Sequence, residues 1–210
     1  LTIGADGSYS YAADQAAADS IAAGESQNDV FVYTITDGTQ DNTANITIKV
    51  LGANDNPSAQ NDVGVVNEGS TLTVQNSANA NVDGSFDANG EHSGDVIHTT
   101  SSSHKDSDLD TSDTLSITQI KKKVGGSNTS VSSGSSYNSS GTDVTGSYGT
   151  LTIGADGSYK YVASSDISGL SDGATVSDTF TYTLSDGTAT TTADLVLTII
   201  GGAASNQSPV

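Results

Sequence analysis

With 210 residues and 33% apolar side chains, the chain has room for thin β-sheet cores, in one sizeable domain or two small ones. Its 25 acidic residues against six lysines and no arginine give a formal charge of −19, which excludes nucleic-acid binding through a basic face. There is no cysteine to form a disulfide and no run of about 18 apolar residues to span a membrane.

Residues 1 to 11 alternate around Ala5-Asp6-Gly7 and predict a hairpin. The same run returns as Leu151 to Tyr161 with one change, Ser10 to Lys160, so the chain carries an internal repeat with a period of about 150 residues. That length suits a whole domain. The expectation is the C-terminal part of one repeat (1–56), a complete repeat (57–202) with insertions at about 76–93 and 125–147, and the start of a further linker (203–210).

Residues 12 to 28 are alanine-rich and polar, with a short helical turn expected around Asp19 to Ala23. From 29 to 37, Phe31, Tyr33 and Ile35 alternate with Val30, Val32 and Thr34, the period-2 pattern of a strand. Residues 44 to 50 repeat that pattern, with Ala44, Ile46, Ile48 and Val50 on one face; Ala193, Leu195, Leu197 and Ile199 are their counterparts. Gly52 to Pro57 reads as a linker, because proline ends strand pairing and Asn-Asp-Asn favours turns.

Two strands are expected over 62–67 and 70–75, separated by Glu68-Gly69, and another at Asp95 to His98. His92, His98 and His104 stand six residues apart, a spacing that suits surface histidines better than a transition-metal site. A strand over 113–120 precedes Lys121-Lys122-Lys123. The Ser/Gly/Asn tract from Gly125 to Gly141 reads as a long exposed hairpin loop or a disordered excursion. Strands near 150–154, 158–162, 176–185 and 190–200 close the repeat. Many short strands with turn signals and little helix predict an all-β antiparallel sandwich, with the 1–56 piece incomplete and less stable.

Three acidic groupings are candidate sites: the linker Asn54-Asp55-Asn56, the run Asp106-Ser-Asp108-Leu-Asp110-Thr-Ser-Asp113, and the aspartates Asp37 and Asp186 that end the Phe-x-Tyr strands. Alternating aspartates place hard oxygen ligands at the spacing of a calcium loop. An EF-hand is excluded, because its sixth and twelfth places here hold Thr111 and Ile117 rather than glycine and glutamate. The competing reading of such a loop is a solvated turn.

Gly149 to Tyr161, Asp178 to Gly187, Val50 to Pro57, and Gly94 to Ile97 with Asp106 to Leu115 together resemble the VCBS and cadherin-like repeats of giant bacterial surface adhesins of the RTX type. The resemblance covers nearly all of the chain outside 76–93 and 125–147. It implies an extracellular Ig-like, cadherin-like sandwich on the bacterial cell surface, arrayed in tandem, with Ca2+ stiffening the joints. Asn54, Asp55 and Asn56 would share ions with Asp106, Asp108, Asp110 and Asp186, Glu25 or Asp29 would contribute from the first repeat, and Glu68 would face the following joint. The second linker, from Gly201, lacks the aspartate, and Gly52 stands where a cadherin linker opens with one.

The implied function is a calcium-rigidified extender in adhesion and biofilm formation, whose partners are neighbouring repeats. One alternative is a glycan- or protein-binding module using the Ser/Gly/Asn tract with Tyr137. Another is a self-assembling surface or filament protein, since a truncated repeat exposes sheet edges. Catalysis is not expected: no Gly-x-Ser-x-Gly elbow is present, and a chain without tryptophan offers little apolar wall for a pair of carboxylates.

Overall fold

In the computed structural model, which describes residues 1–75, 94–98 and 103–202, the chain is all-β apart from one helical turn. It forms two compact units: Leu1–Asp55 with Asp108–Asp113, and Asn56–Ser107 with Thr114–Val210. The 76–93 insertion, His92 and the 203–210 linker fall outside the described residues.

In the first unit, the repeated hairpin forms β1 (Thr2–Ile3) and β2 (Tyr9–Ser10), with Gly7 at φ +84° closing the turn. The helical turn α1 (Ala16–Asp19) lies a few residues before its expected place and has no side-chain cap. The alternating segments form β3 (Ser26–Thr36) and β4 (Asp41–Leu51), paired antiparallel from Ser26↔Leu51 to Thr36↔Asp41. Among the described residues of this unit, Ile21 and Ala22 are the buried hydrophobics; Val30, Val32, Ile35 and Leu51 are exposed.

The second unit contains β5 (Asp62–Asn67), β6 (Thr71–Val74), β7 (Ser116–Lys122), β8 (Thr129–Ser130), β9 (Thr142–Thr145), β10 (Gly149–Ile153), β11 (Tyr159–Ala163), β12 (Thr175–Ser185) and β13 (Thr190–Ile200). They build one sheet in the order β6-β11-β10-β9 and another in the order β5-β13-β12-β7-β8. Leu72, Val74, Leu151, Ile153, Tyr159 and Tyr161 of the first meet Ile117, Ile120, Phe180, Tyr182, Leu184 and Leu197 of the second in one hydrophobic cluster. In β6, β10, β11, β12 and β13 these are the in-phase positions, so burial follows the period-2 pattern; in β7 the buried Ile117 and Ile120 stand three apart, across the register shift opposite Thr183 and Leu184.

Three expectations need correction. The sheets are not purely antiparallel: β5 runs parallel to β13, from Asp62↔Leu195 to Asn67↔Ile200. Parallel neighbours need a long connection, which the intervening strands supply. Residues 95–98 form a turn rather than a strand, because the Asp95 carboxylate accepts the Ile97 and His98 amides at 2.9 and 2.6 Å and outcompetes ladder pairing. The 125–141 tract, expected as a long exposed hairpin loop or a disordered excursion, is largely exposed but anchored: Thr129–Ser130 pairs with β7, and Val131 and Ser135 are 7% and 2% exposed.

Among the described residues, no helix is long and apolar enough to cross a membrane.

Candidate metal centre

Within the first unit, the linker and the aspartate loop are joined directly. The Asp55 amide donates to Asp110 Oδ2 at 2.8 Å, and the Asp110 amide donates to Asp108 Oδ1 at 2.9 Å. The Asn54 side-chain amide donates to the Asp55 carbonyl at 2.6 Å, and the Asp113 amide closes a turn on the Asp110 carbonyl at 3.1 Å. Alternation in Asp108-Leu109-Asp110 sends the carboxylates inward and leaves Leu109 62% exposed.

Each carboxylate has one oxygen engaged and one without a partner. Asp108 Oδ2 and Asp110 Oδ1 are buried and accept no hydrogen bond, and Asp110 as a whole is 1% exposed. A buried carboxylate oxygen without a donor carries a desolvation penalty of roughly 1–3 kcal/mol or more. A hard cation would satisfy oxygens of this kind. Among the described residues, no three His, Cys, Asp or Glu side chains converge as a metal cage. A calcium ion here would therefore draw most of its roughly six to eight oxygens from carbonyls, the Asn54 amide and water.

The other expected ligands have other partners. In the second unit, Asp106 is 2% exposed and accepts the Gln60 amide at 2.7 Å, while the Tyr182 hydroxyl lies 3.2 Å from its Oδ2 and 3.0 Å from Asp62 Oδ2. Burial, reinforced by Asp62 and Asp95, pushes the Asp106 carboxyl up to about 7 against the pull of the Gln60 amide and Tyr182 hydroxyl. Asp186 accepts the Thr188 and Ala189 amides at 2.6 Å each and caps the β12–β13 turn; Asp37 does the same for Thr39 and Gln40 at 2.8 Å. Glu68 accepts the Ile167 and Gly202 amides on its two oxygens. Asp29 accepts the Tyr11 hydroxyl, while Asn56 and Glu25 are exposed. His98 pairs with Asp95 and His104 with the Asn61 carbonyl.

Sequence reading missed the buried acids Asp62, Asp95 and Asp178, all at most 2% exposed. Parity was the available signal for Asp62, which shares the inward face of β5 with Gly64 and Val66.

No protein-family model matches the chain, and no curated protein does. Against solved structures, it aligns with the endo-fucoidan hydrolase MfFcnA4 of glycoside hydrolase family 107 at 16% identity and TM-score 0.28, over 88% of this chain and 19% of that one. It also aligns with the endo-fucoidan hydrolase MfFcnA9 of the same family at 13% identity and TM-score 0.27, over 83% of this chain and 22% of that one. The chain spans about a fifth of each. The expectation that catalysis is absent is corrected by this finding, since these structural neighbours are named as hydrolases. A likeness at that TM-score assigns this chain neither their fold nor their activity.

Proposed function

We propose that the chain is a calcium-stiffened, Ig-like or cadherin-like repeat of a large extracellular adhesin of the bacterial surface, acting as an extender between neighbouring repeats. The observation that carries the proposal is the pair of buried, unpartnered oxygens Asp108 Oδ2 and Asp110 Oδ1 beside the linker amide of Asp55. The chain passes between the two units at 55/56, 107/108 and 113/114. An ion held by Asp108, Asp110 and the Asn54-Asp55 linker would tie the linker to the aspartate loop within the first unit. Two domains on a polar linker otherwise move independently by default.

Calcium supplies positive charge where the chain offers only oxygens, and extracellular modules of this kind bind it with Kd of roughly 10⁻⁴–10⁻³ M. Calorimetric titration of the chain with Ca2+, alongside Asp108→Ala and Asp110→Ala, tests the reading. The expected result is millimolar or tighter binding, lost in both variants, with a rise in Tm for the parent alone. Equal heats in all three proteins would overturn it.

A further inference from the structure

The first unit and the C-terminal half of the second are the same structure built twice, and they differ in what covers them. β3 and β4 match β12 and β13 register for register: Ser26 faces Leu51 as Thr175 faces Ile200, and Phe31 faces Ile46 as Phe180 faces Leu195. Ile3 faces Tyr9 as Ile153 faces Tyr159. Tyr11 donates to Asp29 as Tyr161 donates to Asp178.

The exposures diverge. Ile3, Tyr9 and Ile35 are 45%, 55% and 58% exposed, while their counterparts Ile153, Tyr159 and Leu184 are each 0%. In the second unit, β5 lies parallel on β13, β7 antiparallel on β12 and β6 antiparallel on β11. The Ser147 and Tyr148 amides complete Asp178 at 2.6 and 2.9 Å. In the first unit β3 and β4 form a two-stranded sheet, as do β1 and β2. Both 11-residue outer edges of β3–β4 lack a strand partner among the described residues. Long unpaired edges beside an apolar face are templates for strand addition.

We infer that this surface docks extended chain of the repeat's own sequence type: a β5-like strand parallel to β4, a β6-like strand on β2 and a β7-like strand antiparallel to β3. The second unit shows what discriminates the occupant. A Cβ on Gly64 would lie 2.9 Å from Leu197 Cδ2, 2.8 Å from Leu72 Cδ2 and 3.1 Å from the Tyr159 hydroxyl. Ile48 and Tyr9 stand at the corresponding places in the first unit. The docking strand therefore needs glycine where it passes them, and a β-branched residue there would block closure.

The test uses the whole 210-residue chain and a synthetic peptide of residues 59–75, read by amide hydrogen exchange. The peptide should slow exchange of the β4 outer-edge amides about tenfold or more, leaving β10–β13 unchanged, and its Gly64→Val form should not. A second protein carries the sequence of residues 57–148 fused ahead of Leu1; in it, protection should extend to both outer edges of β3–β4. Protection in the fusion supports the inference even if the free peptide is too weak a ligand. Unchanged exchange in both arms overturns it. So does equal protection by the Gly64→Val peptide, or protection that grows with protein concentration without peptide, which would make a second copy the occupant.

Discussion

The phenol of Tyr161 donates to Asp178 Oδ2 at 2.7 Å, and the same carboxylate accepts the amides of Ser147 and Tyr148. With Asp178 2% exposed, all three donors depend on it. Asp178→Ala leaves them without an acceptor and should cost roughly 2–4 kcal/mol. Asp29, its exposed counterpart, accepts the Tyr11 hydroxyl, and Asp29→Ala should change stability by less than about 0.5 kcal/mol. Urea unfolding of the two variants measures both, and equal losses would contradict the assignment.

Asp106 sets a pH dependence with an unusual sign. Burial chiefly pushes its carboxyl up to about 7 in the folded chain, well above the ordinary carboxylate range, so the native state holds the proton more tightly than the unfolded state. Its contribution to stability is greatest below about pH 4, falls as pH rises towards 7, and is flat above, with an upper bound of roughly 4 kcal/mol. Other carboxylates titrate alongside, so the observable is the difference from Asp106→Asn, whose amide does not titrate. In chelator-treated protein, the urea midpoint of the parent should fall relative to the variant between pH 4.5 and 7.5. Parallel curves would refute the buried-acid reading.

The strands were legible because their pattern is local. Phe180, Tyr182 and Leu184 against Thr179, Thr181 and Thr183 fix one inward face whatever lies beyond it. The parallel seat of β5 was not legible, since it depends on a partner more than a hundred residues away. Nor was the turn at Asp95, where a side-chain acceptor overrides the β-propensity of Val96 and Ile97. For the site, alternation in Asp108-Leu-Asp110 was readable, but composition cannot separate an aspartate with a spare buried oxygen from one whose oxygen caps a turn. Asp186 is of the second kind, and only the backbone path reveals the Thr188 and Ala189 amides.

Asp110 offers a test of the metal reading that does not depend on activity. In the absence of cation its Oδ1 is a buried acceptor without a donor. Asp110→Asn keeps an acceptor for the Asp55 amide and removes the charge, so the chelated variant should be at least as stable as the parent. With millimolar calcium the order should reverse, because only the parent gains by ligation. Thermal melts of both proteins with calcium and with chelator decide it; a variant less stable than the parent in chelator would mean that the charge is satisfied by the protein itself.

Gly154 and Gly4 occupy the same place in the two copies of the repeat but have different neighbours. A Cβ on Gly154 would lie 2.3 Å from Ser136 Cα and 2.6 Å from its carbonyl carbon, whereas a Cβ on Gly4 meets first the Asp6 carboxylate at 2.6 Å and the Ser8 hydroxyl at 3.0 Å. Side-chain tips can rotate away; backbone can move only by lifting the 131–139 segment off the β10–β11 hairpin. Gly154→Ala should therefore cost about 1–3 kcal/mol and Gly4→Ala under about 0.5. Exchange of the Ser136 and Ser139 amides, which bond each other's carbonyls at 3.0 and 3.1 Å, should accelerate in Gly154→Ala alone. A harmless Gly154→Ala would show that this tract does not dock on the sheet, and would restore it as a free loop available for recognition.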